Sequence, residues 1–572
     1  MNPDSKTTAA YSRLPGDFIT RSAGIRAGVV ELRMGKSAPL PFSETFSWPH
    51  SSPISSLEYD SRNIKPHSLY FALSGLHADG HNYIEEAIKR GAKAIVHEKE
   101  LAEFFDDILY VKVKDSRFAM SSLSDAFYGS PSSRMGIIGV TGTEGKSTTV
   151  YLIYQLLALA GKKAGFISTV QHGDGLTVNW NSEHQTTPEA VTIHRLLYEM
   201  EKNGAEYAVL ESSSHGLSKK TNRLGDVDID AGVMTNVTHE HLEFHGSWEQ
   251  YRSDKAELFR ALDNSPSLHN KEFRYGKVSV PSFGVANADD PSASYFAAAS
   301  RHKTYTFSTR GADADLSLRL IESGSGGNWY DVLVQSTGAT VTIRDQLPGA
   351  FNSGNVLAAL LVVSNLLSIS VEKLSSLVPQ LKPVRGRMTA VNRGQPFEVL
   401  VDYAHTPTSF STIFPPLRER LSSSGGRILS LFGSAGERDT QKRKLQGEIA
   451  ARYSDIVILS DEDPRGEVPM VILEEIAKGC EASQGCEASQ GCEASQGCDT
   501  SSRMRRNETL FLIPDRPAAI RKAFALAEKG DLVLLLGKGH ENSIIYARET
   551  RPYDEISEAE KALEEAGYTV KK

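Results

Sequence analysis

The sequence predicts a multidomain α/β protein built largely on parallel sheets, and three observations carry that prediction. Residues 139–149 read Gly-Val-Thr-Gly-Thr-Glu-Gly-Lys-Ser-Thr-Thr, a glycine-rich turn between the apolar run Met135–Val140 and the helical stretch Tyr151–Ala160. Apolar runs of strand length alternate with helical stretches along most of the chain, as they do when helices cover a parallel sheet. Near the C-terminus three apolar runs, Ile428–Gly433, Ile456–Asp461 and Leu532–Gly537, each end in a polar or glycine-rich turn, the habit of a doubly wound domain.

At 572 residues the chain is too long for one core and is expected to form about three or four domains. Residues 1–50 are rich in Ser, Pro and Thr without a sustained period and read as a flexible extension, with Met34 a candidate start. Residues 51–134 read as a small α/β domain, with apolar runs at Leu69–Leu73, Ala94–Val96 and Ile108–Val113 and a helical stretch at Tyr83–Arg90. Residues 135–382 form a central domain that opens with the glycine-rich turn and continues through strand-like Tyr207–Leu210 and Gly232–Met234. Residues 383–572 form the C-terminal domain, interrupted at 479–502 by a low-complexity insert in which Gly-Cys-Glu-Ala-Ser-Gln recurs.

Composition excludes several classes. Apolar content of 40%, charged content of 23% and a net charge of −8 are those of a globular protein without a basic surface for nucleic acid. No apolar stretch is long enough to span a bilayer and residues 1–20 lack a signal pattern, so a cytoplasmic location is expected. All four cysteines, Cys480, Cys486, Cys492 and Cys498, lie in the repeat, which rules out a disulfide framework. Their even spacing does not match the close Cys-x-x-Cys pairs of zinc sites, so the repeat reads as a duplication in a surface loop.

The chemistry concentrates around the glycine-rich turn. Gly142 and Gly145 let backbone N–H groups approach phosphate oxygens, Lys146 supplies a charge, and the Ser147 hydroxyl can reach magnesium, so ATP is the expected ligand. Val140 stands where the usual phosphate loop has its first glycine. Glu211 ends a strand run, where a carboxylate holds magnesium directly or through water. Ser212–Gly216 and Thr238–His241 place hydroxyls and imidazoles after two strands. Lys255 shares a helical face with Trp248, Tyr251, Leu258, Phe259 and Leu262 and therefore points inward. A desolvated amine is the form that adds carbon dioxide to give a carbamate, whereas a snorkelling lysine is the plainer reading.

These motifs, in this order, resemble the Mur ligase family, the ATP-dependent amide-forming enzymes of bacterial cell-wall precursor synthesis, and most closely its tripeptide-forming branch. The resemblance runs from about Leu57 onward: Thr141–Thr149, Glu211–His215, Glu240-His241, Lys255, Asn287–Asp290, Phe351–Asn355, Gly386–Met388, Val401–Pro407 and Gly537–Glu541. It implies a three-domain Mur ligase architecture of N-terminal UDP-binding, central P-loop ATPase-like and C-terminal Rossmann-like domains. It implies ATP contacts at Gly142, Thr143, Gly145, Lys146, Ser147, Thr148, Asn355, Arg387 and Asp402, with magnesium at Ser147, Glu211, His241 and Lys255, the last carbamylated to N6-carboxylysine. Lys146, Lys255 and His241 would be the catalytic residues. UDP-muramoyl-dipeptide would meet Ser61, His77, Thr186, Thr187, Ser213, Thr221 and Arg223, and the incoming amino acid Arg438, Glu462, Asp463, Pro464, Arg465, Gly537 and Glu541.

The implied reaction adds a diamino acid to UDP-N-acetylmuramoyl-L-alanyl-D-glutamate through an acyl phosphate, with the C-terminal domain closing on the central one and a monomer as the acting form. The chain departs from the family pattern at Glu144 (usually Asn), Glu240 (Asp), Thr389 (Glu) and Ser434-Ala435 (Cys-Gly), and a two-residue insertion puts Thr221 where Gln or Glu is common. Arg465 favours a distal carboxylate, as in meso-diaminopimelate, while Asp463 suits the side-chain ammonium of lysine or ornithine, or pairs with Arg465 itself. A ligase of the same superfamily with another acceptor and a non-catalytic ATP-binding module are the competing readings. Asp60-Ser61-Arg62 argues against a folate acceptor, and Lys255 with the pocket motif argues against a binding module.

Overall fold

The computed structural model describes residues 21–41, 53–75, 78–181, 185–238, 242–324, 327–422, 424–482 and 504–569. They divide into two compact units, the second comprising 321–329, 344–352 and the chain from 382 onward.

The first unit holds two large sheets and a two-stranded hairpin. The N-terminal sheet runs β2-β1-β6-β5-β4-β3, from β1 (Val29–Met34), β2 (Leu40–Pro41), β3 (Ser56–Glu58), β4 (Ser68–Phe71), β5 (Ala94–His97) and β6 (Leu109–Val113). β3 to β6 are parallel, and β1 pairs antiparallel with β6. This corrects the reading of residues 1–50 as flexible: residues 21–41 give a helix, Arg21–Arg26, and two sheet strands, with Ala27 and Leu32 buried in the core beside Val111 and Leu123. Met34 therefore lies at the end of a paired strand. The missed signal is short, since Val29–Met34 alternates by burial only at Leu32.

The central sheet runs β10-β9-β8-β11-β7-β12-β15-β16-β17-β18-β19. Its strands are β7 (Gly136–Thr141), β8 (Ala164–Ile167), β9 (Gln171–Gly173), β10 (Val178–Trp180), β11 (Tyr207–Glu211), β12 (Ala231–Met234), β15 (Phe283–Asn287), β16 (Thr304–Ser308), β17 (Leu316–Gly324), β18 (Gly327–Val334) and β19 (Ala339–Asp345), with β13 (Leu268–Phe273) and β14 (Gly276–Pro281) a separate hairpin. Strands β8, β11, β7, β12, β15 and β16 are parallel, and the first five are buried on both faces along nearly their whole length, which explains their near-continuous apolar sequences. Register sets Glu211 opposite Val140, one residue before the end of β7. The helix Trp248–Ala261 starts at Ser247, whose hydroxyl accepts the Gln250 N–H, and buries Tyr251, Lys255, Leu258 and Phe259.

The second unit carries a sheet ordered β20-β21-β25-β22-β23-β24. Its members are β20 (Thr389–Ala390), β21 (Glu398–Asp402), β22 (Ile428–Phe432), β23 (Ile456–Leu459), β24 (Leu510–Leu512) and β25 (Leu532–Leu536), all parallel except β20. The insert does not begin at 479 as expected. The helix Pro469–Ala482 continues through Gly479 and Cys480, and both are buried against the helix Gln441–Tyr453. A Cβ on Gly479 would stand 2.0 Å from the Lys444 carbonyl oxygen, so only glycine permits this approach. Cys480 is fully buried, which pushes its thiol up to about 12 and makes it inert. Cys486, Cys492 and Cys498 lie outside the described residues.

Candidate functional site

The phosphate loop joins β7 to the helix Lys146–Leu159, whose first-turn amides have no intrahelical acceptor and face the end of the sheet. Gly142 has φ +152°, and a Cβ there would stand 1.9 Å from the Thr235 hydroxyl, so the turn requires glycine. Asn236, just after β12, holds the loop from below: its carbonyl accepts the Thr143 N–H and its side-chain oxygen the Glu144 N–H, each at 2.8 Å. Lys146 Nζ folds over the loop onto the Thr143 carbonyl at 2.8 Å. Thr148 is half-buried in the first turn. Asn355, in the helix Asn352–Leu367, accepts the Thr149 hydroxyl at 3.0 Å and so lies against the same helix start.

Ser147 and Glu211 meet beside this loop. The Ser147 hydroxyl donates to Glu211 Oε2 at 2.8 Å, and the Thr169 N–H reaches the same oxygen at 2.8 Å. A hydroxyl and a carboxylate at the mouth of a phosphate loop are hard oxygen donors and fit magnesium. Lys255, 2% exposed, donates to the Gly142 carbonyl at 2.5 Å, and its Nζ lies 4.5 Å from the centre of the Tyr251 ring. Tyr251 in turn hydrogen-bonds Thr143 at 3.0 Å between hydroxyls. Helical spacing foresaw the inward lysine; it did not reveal that Tyr251, one turn before it, bonds the neighbouring loop residue Thr143. His241 lies outside the described residues, as does His77.

A second cluster begins at the same strand end. The Thr187 hydroxyl donates to the Glu211 carbonyl at 2.8 Å and accepts the Ser213 N–H at 2.9 Å. Arg223 donates to the Thr187 carbonyl and to Glu189 Oε1, each at 2.7 Å. The Ser213 hydroxyl caps the Gly216 N–H, and the Thr221 hydroxyl donates to the carbonyls of His215 and Ser218. Thr186 is half-buried next to Thr187. Ser61, in the N-terminal sheet region, is buried behind an Asp60–Arg62 ion pair of 2.6 Å. Glu189, buried and paired with Arg223, is a member of this cluster that the sequence does not single out.

In the second unit the sites gather at the ends of β21, β23 and β25. Asp402 accepts the N–H groups of Met388 and Ala404, each at 2.7 Å; burial raises its carboxyl, against the opposing pull of Arg387. The Arg387 guanidinium lies 4.8 Å from the Tyr403 ring centre. Asp463 does not pair with Arg465, the arrangement weighed from sequence. Its Oδ1 accepts Lys538 Nζ at 2.9 Å and the Ile545 N–H at 2.9 Å, and Lys538 also donates to Glu541 at 2.5 Å. Burial works against the Lys538 charge, but the two carboxylates outweigh it and hold the ammonium above its usual range. The Arg465 N–H bonds the Ile545 carbonyl at 2.9 Å, from a backbone with φ 54°. Glu462 is buried next to Gly537, with its Oε2 lacking a hydrogen-bond partner among the described residues. Arg438 is exposed on the loop after β22, and the Pro464 carbonyl accepts the Glu467 N–H.

A phosphate loop on a parallel sheet, with a hydroxyl–carboxylate pair and an inward lysine at its mouth, defines a nucleotide-binding α/β protein. Comparison with known proteins makes the assignment narrower. The model of the Mur ligase middle domain matches residues 140–363, that of the Mur ligase glutamate ligase domain 386–539, and that of the Mur ligase catalytic domain 53–128. The UDP-N-acetylmuramyl-tripeptide synthetase of Treponema denticola is 49% identical over 89% of this chain and 94% of its own length. A UDP-N-acetylmuramoyl-L-alanyl-D-glutamate–2,6-diaminopimelate ligase of Geobacillus kaustophilus is 36% identical over 90% and 96%. A solved ligase of that diaminopimelate type aligns with a TM-score of 0.57 at 26% identity, covering 92% of this chain and 98% of its own. The MurF ligase of Thermotoga maritima, solved with ADP, shares the fold with a TM-score of 0.58 at 21% identity. The chain belongs to the Mur ligase family. Among the described residues no helix is long and apolar enough to cross a membrane.

Proposed function

We propose that this chain is an ATP-dependent ligase that adds a diamino acid to UDP-N-acetylmuramoyl-L-alanyl-D-glutamate in peptidoglycan precursor synthesis. Glu211 carries the reading. Its carboxylate accepts from Ser147 of the phosphate loop while its carbonyl accepts from Thr187, so the nucleotide loop and the Thr187–Ser213–Arg223 cluster share one strand end. A substrate carboxylate held by Arg223 and the Ser213 turn would stand at the strand end that also meets the phosphate loop.

The D-glutamyl carboxylate oxygen attacks the γ-phosphorus, the bond to the β-phosphate oxygen breaks, and ADP leaves. The amine then attacks the acyl carbon, phosphate departs, and the amine loses its proton. Lys146 and the first-turn amides offset charge on the phosphates during transfer. Magnesium, when bound, neutralises phosphate charge, and Ser147 and Glu211 would hold it. His241 is proposed as a further ligand on the family resemblance alone. Lys255 is proposed to add carbon dioxide at Nζ, forming an N–C bond with loss of one proton, so that a carboxylate on a long arm stands at Gly142. Asn355, Arg387 and Asp402 are proposed as further ATP contacts, and Ser61 and His77 as contacts to the UDP moiety.

In the amino-acid pocket Lys538 already neutralises Asp463, which leaves Arg465 as a cation for a carboxylate and buried Glu462 as an anion for an ammonium. A cytoplasmic, monomeric enzyme fits UDP-linked and free amino-acid substrates. The test is to incubate the chain with ATP, magnesium and the UDP-dipeptide plus meso-diaminopimelate, L-lysine or L-ornithine separately, and to weigh the product. A tripeptide with one of them names the amino acid; consumption of ATP with another acceptor only would replace this reading by a different member of the superfamily.

A further inference from the structure

Behind Lys255 lies a buried chain of three polar groups to which the proposed reaction gives no part. Asp254 Oδ2 and His245 Nδ1 are 2.7 Å apart, and His245 Nε2 and Ser214 Oγ are 3.1 Å apart. Asp254 and His245 are each 4% exposed and Ser214 2%. The other Asp254 oxygen accepts the Gln250 side-chain amide at 2.8 Å. An ionised carboxylate only accepts, so a proton on Nδ1 faces Asp254, and Nε2 faces the Ser214 hydroxyl. The order Ser–His–Asp invites a hydrolytic reading, but the amide-forming reaction proposed above uses no serine nucleophile, and what the relay joins is two pieces of backbone structure.

The places of the three residues say what the chain does. Ser214 opens the helical turn directly after Ser213, the residue tied to Thr187. Asp254 precedes Lys255 on the helix Trp248–Ala261. From the same helix Tyr251 bonds Thr143 of the phosphate loop. The helix is thus tied both to the loop, through Tyr251 and Lys255, and to the Ser213–Ser214 turn, through Asp254 and His245, whose ring lies 5.2 Å from that of Tyr251. Three buried polar groups are costly to desolvate, and apolar side chains would pack the space at no such cost, so what the relay adds is orientation.

We propose that Asp254, His245 and Ser214 are positioning residues that lock the Lys255-bearing helix to the Ser213 turn and so fix the Lys255 nitrogen relative to Glu211. This rests on the proposed role of Lys255 at the phosphate loop. The test uses the full chain and three readouts: kcat and KM for each substrate, the melting midpoint, and the carbamate carbon signal by NMR with isotope-labelled bicarbonate. Asp254→Ala lowers kcat by roughly 10- to 100-fold, the range for residues that orient a ligand through another group, with KM for the UDP-dipeptide little changed and the carbamate signal weakened. Asp254→Asn keeps an acceptor for Nδ1–H and recovers part of the loss. Ser214→Ala, which removes one hydroxyl and keeps the experiment informative if Asp254→Ala does not fold, lowers kcat several-fold in the same pattern. A fall in activity that only tracks the melted fraction, or one confined to KM for the dipeptide, overturns the proposal. Absence of a carbamate signal from the unaltered chain sinks the carbamate role of Lys255 alone, and the relay is then decided by the kcat and KM split.

Discussion

Lys255 is where residue-level chemistry is most exposed to test. Removing it takes away the group standing at the Gly142 carbonyl, and Lys255→Ala is expected to lose about 10²- to 10³-fold in kcat, the cost of deleting one group aimed at developing charge. A short-chain carboxylate added to that variant should restore part of the rate; no recovery would count against a carbamate. Asp461 offers a second, independent check. Burial pushes its carboxyl up to about 6, with the Tyr546 hydroxyl at 3.0 Å pulling the other way. The folded state therefore binds this proton more tightly than the unfolded chain, so its contribution to stability is complete below about pH 4 and is lost as pH rises through about 6. Asp461→Asn should stabilise the protein at pH 7 by about 2 kcal/mol and flatten the pH dependence of the melting midpoint over that window. Lys255 was legible because helical spacing puts it among apolar residues. The partner of Asp463 was not, because Lys538 is 75 positions away and only the sheet brings the ends of β23 and β25 together.

Single elements were read well where a local rule decides them. The strand–turn–helix around Gly142 follows from glycine conformation and an apolar flank, and β7, β11 and β12 lie within a residue or two of the runs that announced them. The helix Pro469–Ala482 shows the limit. Gly-Cys-Glu-Ala in it is repeated downstream, so sequence alone cannot say which copy is helical; the packing of Gly479 on the Lys444 carbonyl decides for the first. Gly479→Ala should cost about 1–3 kcal/mol, the usual range for overpacking a tight contact, read as a lowered denaturation midpoint. An unchanged midpoint would mean that the two helices separate freely.

For the whole molecule the lesson lies at the N-terminus. The first 50 positions are rich in Ser, Pro and Thr, and that composition hid a strand whose only buried side chain is Leu32. A chain begun at Met34 would lose the helix Arg21–Arg26, strip Ala27 and Leu32 from the core, and leave β6 as an open edge. It is expected to be less stable by about 3 kcal/mol or more, seen as a lower melting midpoint and a tendency to aggregate. The three-domain reading and the order of motifs were legible because each motif pairs a strand end with a turn. The tie of the Ser213 turn to the Lys255 helix was not, because it depends on side chains from three separate segments.

The central claim is that ATP cleavage here is coupled to amide formation on a UDP-muramoyl dipeptide. The most direct measurement is phosphate release by the purified chain with magnesium ATP, with UDP-N-acetylmuramoyl-L-alanyl-D-glutamate and a diamino acid each present or omitted. Release that needs both and matches tripeptide formed mole for mole is the predicted result. Release that proceeds without the dipeptide, or none with any of the three diamino acids although ATP binds, would contradict it.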